Sequence, residues 1–156
     1  MSKIQTISGL FAHTCEQVTH SPQAWMDFLT TASRFYKAYD FDDQLLIYAQ
    51  RPDATACADI GFWNDEMHRW VNAGTTAIAL IRKGYGGKPY LSYVHDIADT
   101  HPVKDGKTPW IWQMRPDHET TVCEMLREKF DGNGADLGAL LMDTGEKLAL
   151  EVCADM

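Results

Sequence analysis

Apolar positions keep a helical period at both ends of the chain and a short extended one in the middle. Over residues 3–19, Ile4, Ile7, Leu10, Phe11 and Val18 fall at roughly helical spacing. His20-Ser21-Pro22 then stops one element and starts another. Ser21 suits an N-cap, and Pro22 suits the first helical position, where no hydrogen-bond donor is needed. Trp25, Phe28, Leu29, Ala32, Phe35 and Tyr36 follow at i, i+3, i+4 spacing and predict a second helix. Tyr39-Asp40-Phe41-Asp42 reads as a connector. Asp42 or Asp43 can cap a short third helix carrying Leu45, Leu46 and Ile47 as core, and Pro52 ends it, because the residue before proline avoids helical angles. Asp59 can cap a further short helix running to Met67.

The period then changes. Arg69-Trp70-Val71 leads to Gly74, and residues 77–81 form a short apolar strand. The turn cluster Gly84-Tyr85-Gly86-Gly87 separates it from a second strand over 90–94, which together predict a hairpin. Residues 99–109 hold Pro102, Gly106 and Pro109 and read as a loop, after which 110–114 reads as a third strand. Pro116 opens a helix through Phe130, with Asp117 and Glu119 well placed in its first turn. Asp131-Gly132-Asn133-Gly134 breaks that helix, and a last one spans about 136–153. The order predicts an α+β fold in one domain over 1–156: a small antiparallel sheet (69–115) flanked by N-terminal helices (1–68) and C-terminal helices (116–156).

Composition narrows the class. A chain of 156 residues with 45% hydrophobic content can bury a core without a metal or disulfide. Cys15, Cys57, Cys123 and Cys153 lie far apart with no CxxC pair and read as reduced thiols. There is no apolar run of membrane-spanning length and no secretion signal at the start, so the chain reads as cytoplasmic with no membrane partner. The net charge of −8 is uneven. Residues 1–68 hold 4 basic and 9 acidic side chains, 69–115 hold 7 and 3, and 117–156 hold 3 and 10. The middle can attract an anion although the whole chain repels one.

Catalytic patterns are wanting. Gly84-Tyr85-Gly86-Gly87-Lys88-Pro89 lies between two strands and opens no helix, so a hairpin loop fits it better than a phosphate loop. His118-Glu119-Thr120-Thr121-Val122 lacks the second histidine of a metalloprotease helix. His95, Asp96, Asp99 and His101 could ligate a metal only if the fold converged them, and a polar loop is the simpler reading. No cysteine has an evident histidine partner. The chain reads as a non-enzyme with no metal and no cofactor.

One segment carries a resemblance. Residues 43–81 place Gln44, Leu45, Leu46, Ile47, Gln50, Pro52, Trp63, Arg69, Val71, Gly74 and Ile78 in the order and spacing of the N-terminal domain of ArdC-type antirestriction proteins. They look closer still to the ArdC-like module of very large proteins carried by conjugative elements of Firmicutes. Residues 21–36, 93–100 and 112–118 resemble flanking parts of the same module. The resemblance implies single-stranded DNA binding that shields DNA transferred by a mobile genetic element from host nucleases. It implies no protease domain, whose zinc motif this chain lacks. The chain departs from the family pattern at Asp43, Asn72, Ala73, Thr76 and Ala77, most of them places where the family commonly carries a basic residue or asparagine.

With that resemblance in view, basic and aromatic side chains interleave as a single-strand binder would need. Arg69, Arg82 and Lys83 are candidate phosphate contacts, with Lys88 beside them in the hairpin loop. Trp63 or Trp70 is a candidate stacking platform, although Trp63 reads equally as core. Either one of Gln44 and Gln50 bonds to backbone across the turn, or Gln50 and Arg51 sit at a rim against a phosphate or base edge. The alternative is an acidic protein-binding inhibitor of a host defence nuclease, such as a restriction or CRISPR effector, whose acidic ends imitate DNA. A third option is a non-autonomous first domain of a larger conjugation protein.

Overall fold

The computed structural model describes residues 2–35, 37–111 and 113–154. The chain, read above as one domain, divides into two compact units, residues 1–112 and 113–156. The fold is α+β, as the hydrophobic pattern predicts.

The first unit opens with α1 (Lys3–Val18) and α2 (Pro22–Ala32), started by Ser2 and Ser21. Ser2 makes a capping box: its Oγ accepts the Gln5 N–H while the Gln5 side chain accepts the Ser2 N–H. Ser21 Oγ accepts the Ala24 N–H at 3.1 Å, with Pro22 at the first helical position, as expected. α2 stops at Ala32, short of the apolar pattern, because the Arg34 and Phe35 N–H groups turn to the carbonyls three residues back. Phe35 still reaches the core, while Tyr36 lies outside the described residues.

α3 (Phe41–Gln50) is capped by Asp40, whose carboxylate accepts the Asp43 N–H at 2.9 Å. This corrects the expectation of Asp42 or Asp43. Those two sit in the first turn, where their charge favours the helix N-terminus, and Asp43 is committed to Arg82. Leu45, Leu46 and Ile47 are buried, so the opening of the motif is core. Leu46 and Ile47 pack with Phe35, Ala54, Ile78, Leu80 and Val94, while Leu45 joins Val18, Phe28 and Ala32.

Five short strands follow among the described residues: β1 (Cys57–Ala58), β2 (Arg69–Val71), β3 (Ile78–Lys83), β4 (Pro89–Asp96) and β5 (Thr100–Pro102). β3 and β4 form the expected hairpin, paired from Ile78↔Val94 to Lys83↔Pro89. Its connection needs Gly86 and Gly87, both at positive φ (70° and 76°), where a Cβ would be strained. The sheet order is β1-β4-β3, with a separate β2-β5 pair.

Two expectations fail here. Residues 110–114 supply no strand among the described residues (Trp112 lies outside them), and the stretch 99–109, expected as a loop, contains the strand β5. The place beside β4 goes to β1, because the buried Asp96 carboxylate draws in the N–H groups of Thr55 at 2.6 Å and Ala56 at 3.0 Å. Between β1 and β2, Asp59 Oδ1 accepts the Phe62 N–H and starts a π-helical turn, Phe62–Glu66.

The second unit pairs α4 (Pro116–Phe130) with α5 (Leu137–Ala154). Asp131 ends α4 in the left-handed conformation, φ 50°, and Leu126 and Leu140 are buried. No helix among the described residues is long and apolar enough to cross a membrane.

Candidate nucleic-acid interface

The residues singled out from the sequence separate into an inner and an outer set. Gln50 is inner. Its Oε1 accepts the Ala79 N–H at 2.9 Å, and its Nε2 donates to Ala79 O at 2.9 Å and Leu46 O at 2.8 Å. It therefore ties α3 to β3 and does not stand at a rim. Arg51 donates to Asp99 and lies 3.7 Å from an Asp53 carboxylate oxygen. The Asp99 hydrogen bond holds the Arg51 guanidinium above its ordinary pKa.

Trp63 is 1% exposed, and its indole N–H donates to His95 O at 2.9 Å. With neither ring face open it cannot stack on a base, which corrects that part of the expectation. Arg69 is 8% exposed. Its guanidinium donates to Thr100 Oγ1 and Thr100 O across the β2-β5 pair, and to Lys107 O. A phosphate cannot reach it without breaking those bonds. Arg82 is half-buried and paired with Asp43. Burial pushes the Asp43 carboxyl above its usual range, and the Arg82 guanidinium partly offsets this.

Trp70, Lys83 and Lys88 form the outer set. Trp70 is 58% exposed on β2, directly opposite His101 on β5. Lys83 and Lys88 flank the hairpin connection, where Tyr85 is fully exposed and Tyr90 half exposed. Arg82 lies opposite Tyr90 and Lys83 opposite Pro89. Residues 67–95 contain no Asp or Glu, so the hairpin adds no acidic side chain of its own before Asp96.

The sequence reading missed a pair of clefts beside β1. The first, about 480 Å³, is lined by Arg34, Lys37, Tyr39, Cys57, Phe62, Trp110 and their neighbours. The second, about 440 Å³, shares Ala38, Tyr39, Cys57, Ala58 and Phe62 with it and adds Asp59, Arg82, Ser92 and Tyr93. The buried Ser92 hydroxyl has no hydrogen-bond partner among the described residues. Tyr39 Oη donates to Cys57 O at 2.8 Å and forms the saddle between them. Burial raises the Tyr39 phenol and the Cys57 thiol well above their ordinary values, the nearby Asp96 charge adding to the shift at Cys57. Both stay neutral, so Cys57 is not an activated nucleophile. No periodicity marks this site, because its residues come from the turn after α2, β1, the π-helical turn and residues 109–111.

The His95, Asp96, Asp99 and His101 cluster does not converge. Asp96 binds backbone N–H groups, Asp99 binds Arg51, and His101 Nδ1 lies 2.6 Å from Asn72 Oδ1. No three His, Cys, Asp or Glu side chains among the described residues are placed to hold a metal. No family model, curated protein or solved structure matches this chain.

Proposed function

We propose that the chain is a single-stranded DNA-binding module with an antirestriction role, covering DNA transferred by a mobile genetic element. The observation that supports this reading is the β3-β4 hairpin. It exposes Lys83, Tyr85, Lys88 and Tyr90 within a stretch that has no acidic residue. Lysines beside flat rings suit a phosphate backbone with unpaired bases. The resemblance of residues 43–81 to ArdC-type modules supports the same reading.

The test is fluorescence anisotropy of a labelled single-stranded oligonucleotide at two salt concentrations. Each phosphate contact on a single strand contributes about −0.7 to the slope of log affinity against log salt. The double variant Lys83→Ala/Lys88→Ala should therefore flatten the slope by about 1.4, and Tyr85→Ala should weaken binding without changing it. A slope indifferent to both lysines would refute the hairpin as the interface.

A second reading is favoured by the second unit, which turns Asp117, Glu119, Glu124, Glu128, Asp136, Glu146 and Glu151 outward. Such a surface suits the basic nucleic-acid channel of a host defence nuclease. Inhibition of nuclease cutting that survives loss of the hairpin lysines would favour it. Purified chain that neither binds nor slows such a nuclease would reject it.

A further inference from the structure

We infer that the first cleft beside β1 is a nucleotide pocket, taking one base of a single strand between aromatic side chains and its phosphate at Arg34 and Lys37. None of the candidate phosphate contacts read from the sequence lines it, and of the other residues singled out there the buried Trp63 forms part of its wall. The inference deepens the single-strand reading and rests on it for the polymer, though not for the pocket itself.

Three observations carry it. The first is charge complementarity. Among the described lining residues are the two cations Arg34 and Lys37 and no Asp or Glu, in a chain of net charge −8. Tyr39 and Cys57, the lining groups that could become anionic, are held neutral by burial, so the cleft keeps its sign through the physiological range. The second is aromatic exposure. Trp110 is 80% exposed and Phe62 45% exposed, both on the cleft. Phe62 is braced edge-on against the buried Trp63, with ring centroids 6.0 Å apart, so its ring is held in place before any ligand arrives. The third is size. A cleft of about 480 Å³ falls within the range of small-molecule sites.

Arg34 fits the phosphate role. One bond, from Nη1 to Ala54 O at 2.9 Å, fixes the guanidinium to the core. A guanidinium carries five N–H donors, so this bond orients the group without exhausting it. Phe62 also borders the second cleft, but that cleft holds Asp59 and an Arg82 already paired with Asp43, so the phosphate belongs in the first cleft alone. A protein occupant is less well matched: β1 has only the edge of Cys57 and Ala58 to offer a strand, and Tyr39 already occupies the Cys57 carbonyl.

The experiment titrates the whole chain with deoxyadenosine monophosphate and follows tryptophan fluorescence. Deoxyadenosine and inorganic phosphate are run as separate probes. Saturable quenching by the nucleotide, at least about tenfold tighter than by either half alone, is expected, since base and phosphate contacts act together. Trp110→Ala and Phe62→Ala should each weaken it by about 5- to 150-fold, the range for stacking one base on one ring, with circular dichroism unchanged. Lys83→Ala/Lys88→Ala should leave it intact.

Phosphate binding as tightly as the nucleotide would overturn base recognition. Equal affinity in both ring variants would overturn the location. If an oligonucleotide binds through the hairpin lysines while the mononucleotide gives no saturable quench, the pocket falls and the single-strand reading stands. If the mononucleotide binds in the cleft but no oligonucleotide binds, the pocket stands and the single-strand reading falls.

Discussion

Gln50, the last residue of α3, stands in for a strand. β3 is an edge of the three-stranded sheet, and Ala79 on it directs its N–H and C=O toward α3. An antiparallel neighbour would exchange both bonds with a residue in that position. The Gln50 amide does the same from one side chain, accepting from Ala79 N–H and donating to Ala79 O at 2.9 Å each. It closes an edge that would otherwise invite pairing with another chain. Gln50→Met keeps the length and removes both bonds. Ala79 is 6% exposed, so water cannot readily replace them. A neutral hydrogen bond nets about 0.5–1.5 kcal/mol, and a buried group stranded without a partner costs about 1–3 kcal/mol. With both Ala79 groups stranded, the expected loss is about 2–6 kcal/mol. Urea unfolding should show a lower midpoint at unchanged slope. A loss below about 0.5 kcal/mol, the scale of an indifferent surface change, would refute the strand-mimic reasoning.

Gln50→Glu sharpens the test. A carboxylate still accepts from Ala79 N–H but meets Ala79 O with no donor. Protonation restores the donor, so the folded-state pKa must lie above the unfolded value of about 4.3. The folded state then binds more protons than the unfolded state, and stability falls as pH rises through that window. The deficit of the Glu variant should therefore shrink in acid, and a pH-independent deficit would count against the geometry.

Two further outcomes follow from the same buried network. Trp63→Phe leaves the His95 carbonyl without its indole donor and should cost about 1–3 kcal/mol by thermal unfolding; a loss below about 0.5 kcal/mol, the scale of an indifferent surface change, would show that this bond contributes nothing to the fold. The Cys57 thiol and Tyr39 phenol are both raised by burial, so above the ordinary thiol value of about 8.5 the unfolded chain releases protons that the folded chain keeps, and stability should fall with rising pH. Cys57→Ser should move that onset toward the ordinary tyrosine value of about 10, and an unmoved onset in a pH series of urea melts would show that Cys57 is not responsible.

Periodicity made the long elements legible, and it failed where partners are decided by single side chains. α1 and α2 follow from apolar spacing, α4 from Pro116 and its acidic first turn, and the hairpin from two apolar runs around a glycine cluster. β1 has two residues and no pattern of its own. It exists because Asp96, forty residues away in sequence, gathers the N–H groups of Thr55 and Ala56. The apolar run at 110–114 reads as a strand in the sequence, yet β1 takes the place beside β4 and Gln50 caps the outer edge of β3 at Ala79. Arg34, Phe62 and Trp110 meet at one cleft for a similar reason: each belongs to a turn, and only the fold makes them neighbours.

The cations sort by residue type in a way that composition conceals. Every arginine of the first unit bonds inward: Arg34 to Ala54 O, Arg51 to Asp99, Arg69 to Thr100 and Lys107 O, and Arg82 to Asp43. A planar, weakly hydrated guanidinium with several donors is suited to such partly buried pairs, whereas a strongly hydrated ammonium stays at the surface. Lys83 and Lys88 do stay there. Reading the basic middle of the chain as a row of phosphate contacts therefore overcounts it, since Arg69 and Arg82 are spent on the fold. Among the candidates placed above, those open to a nucleic acid are two hairpin lysines among tyrosines, and Arg34 at the cleft. Contacts this few give a shallow salt dependence, so affinity for a single strand has to come largely from stacking, and the exposed rings of Tyr85, Tyr90, Phe62 and Trp110 should govern it more than any charge.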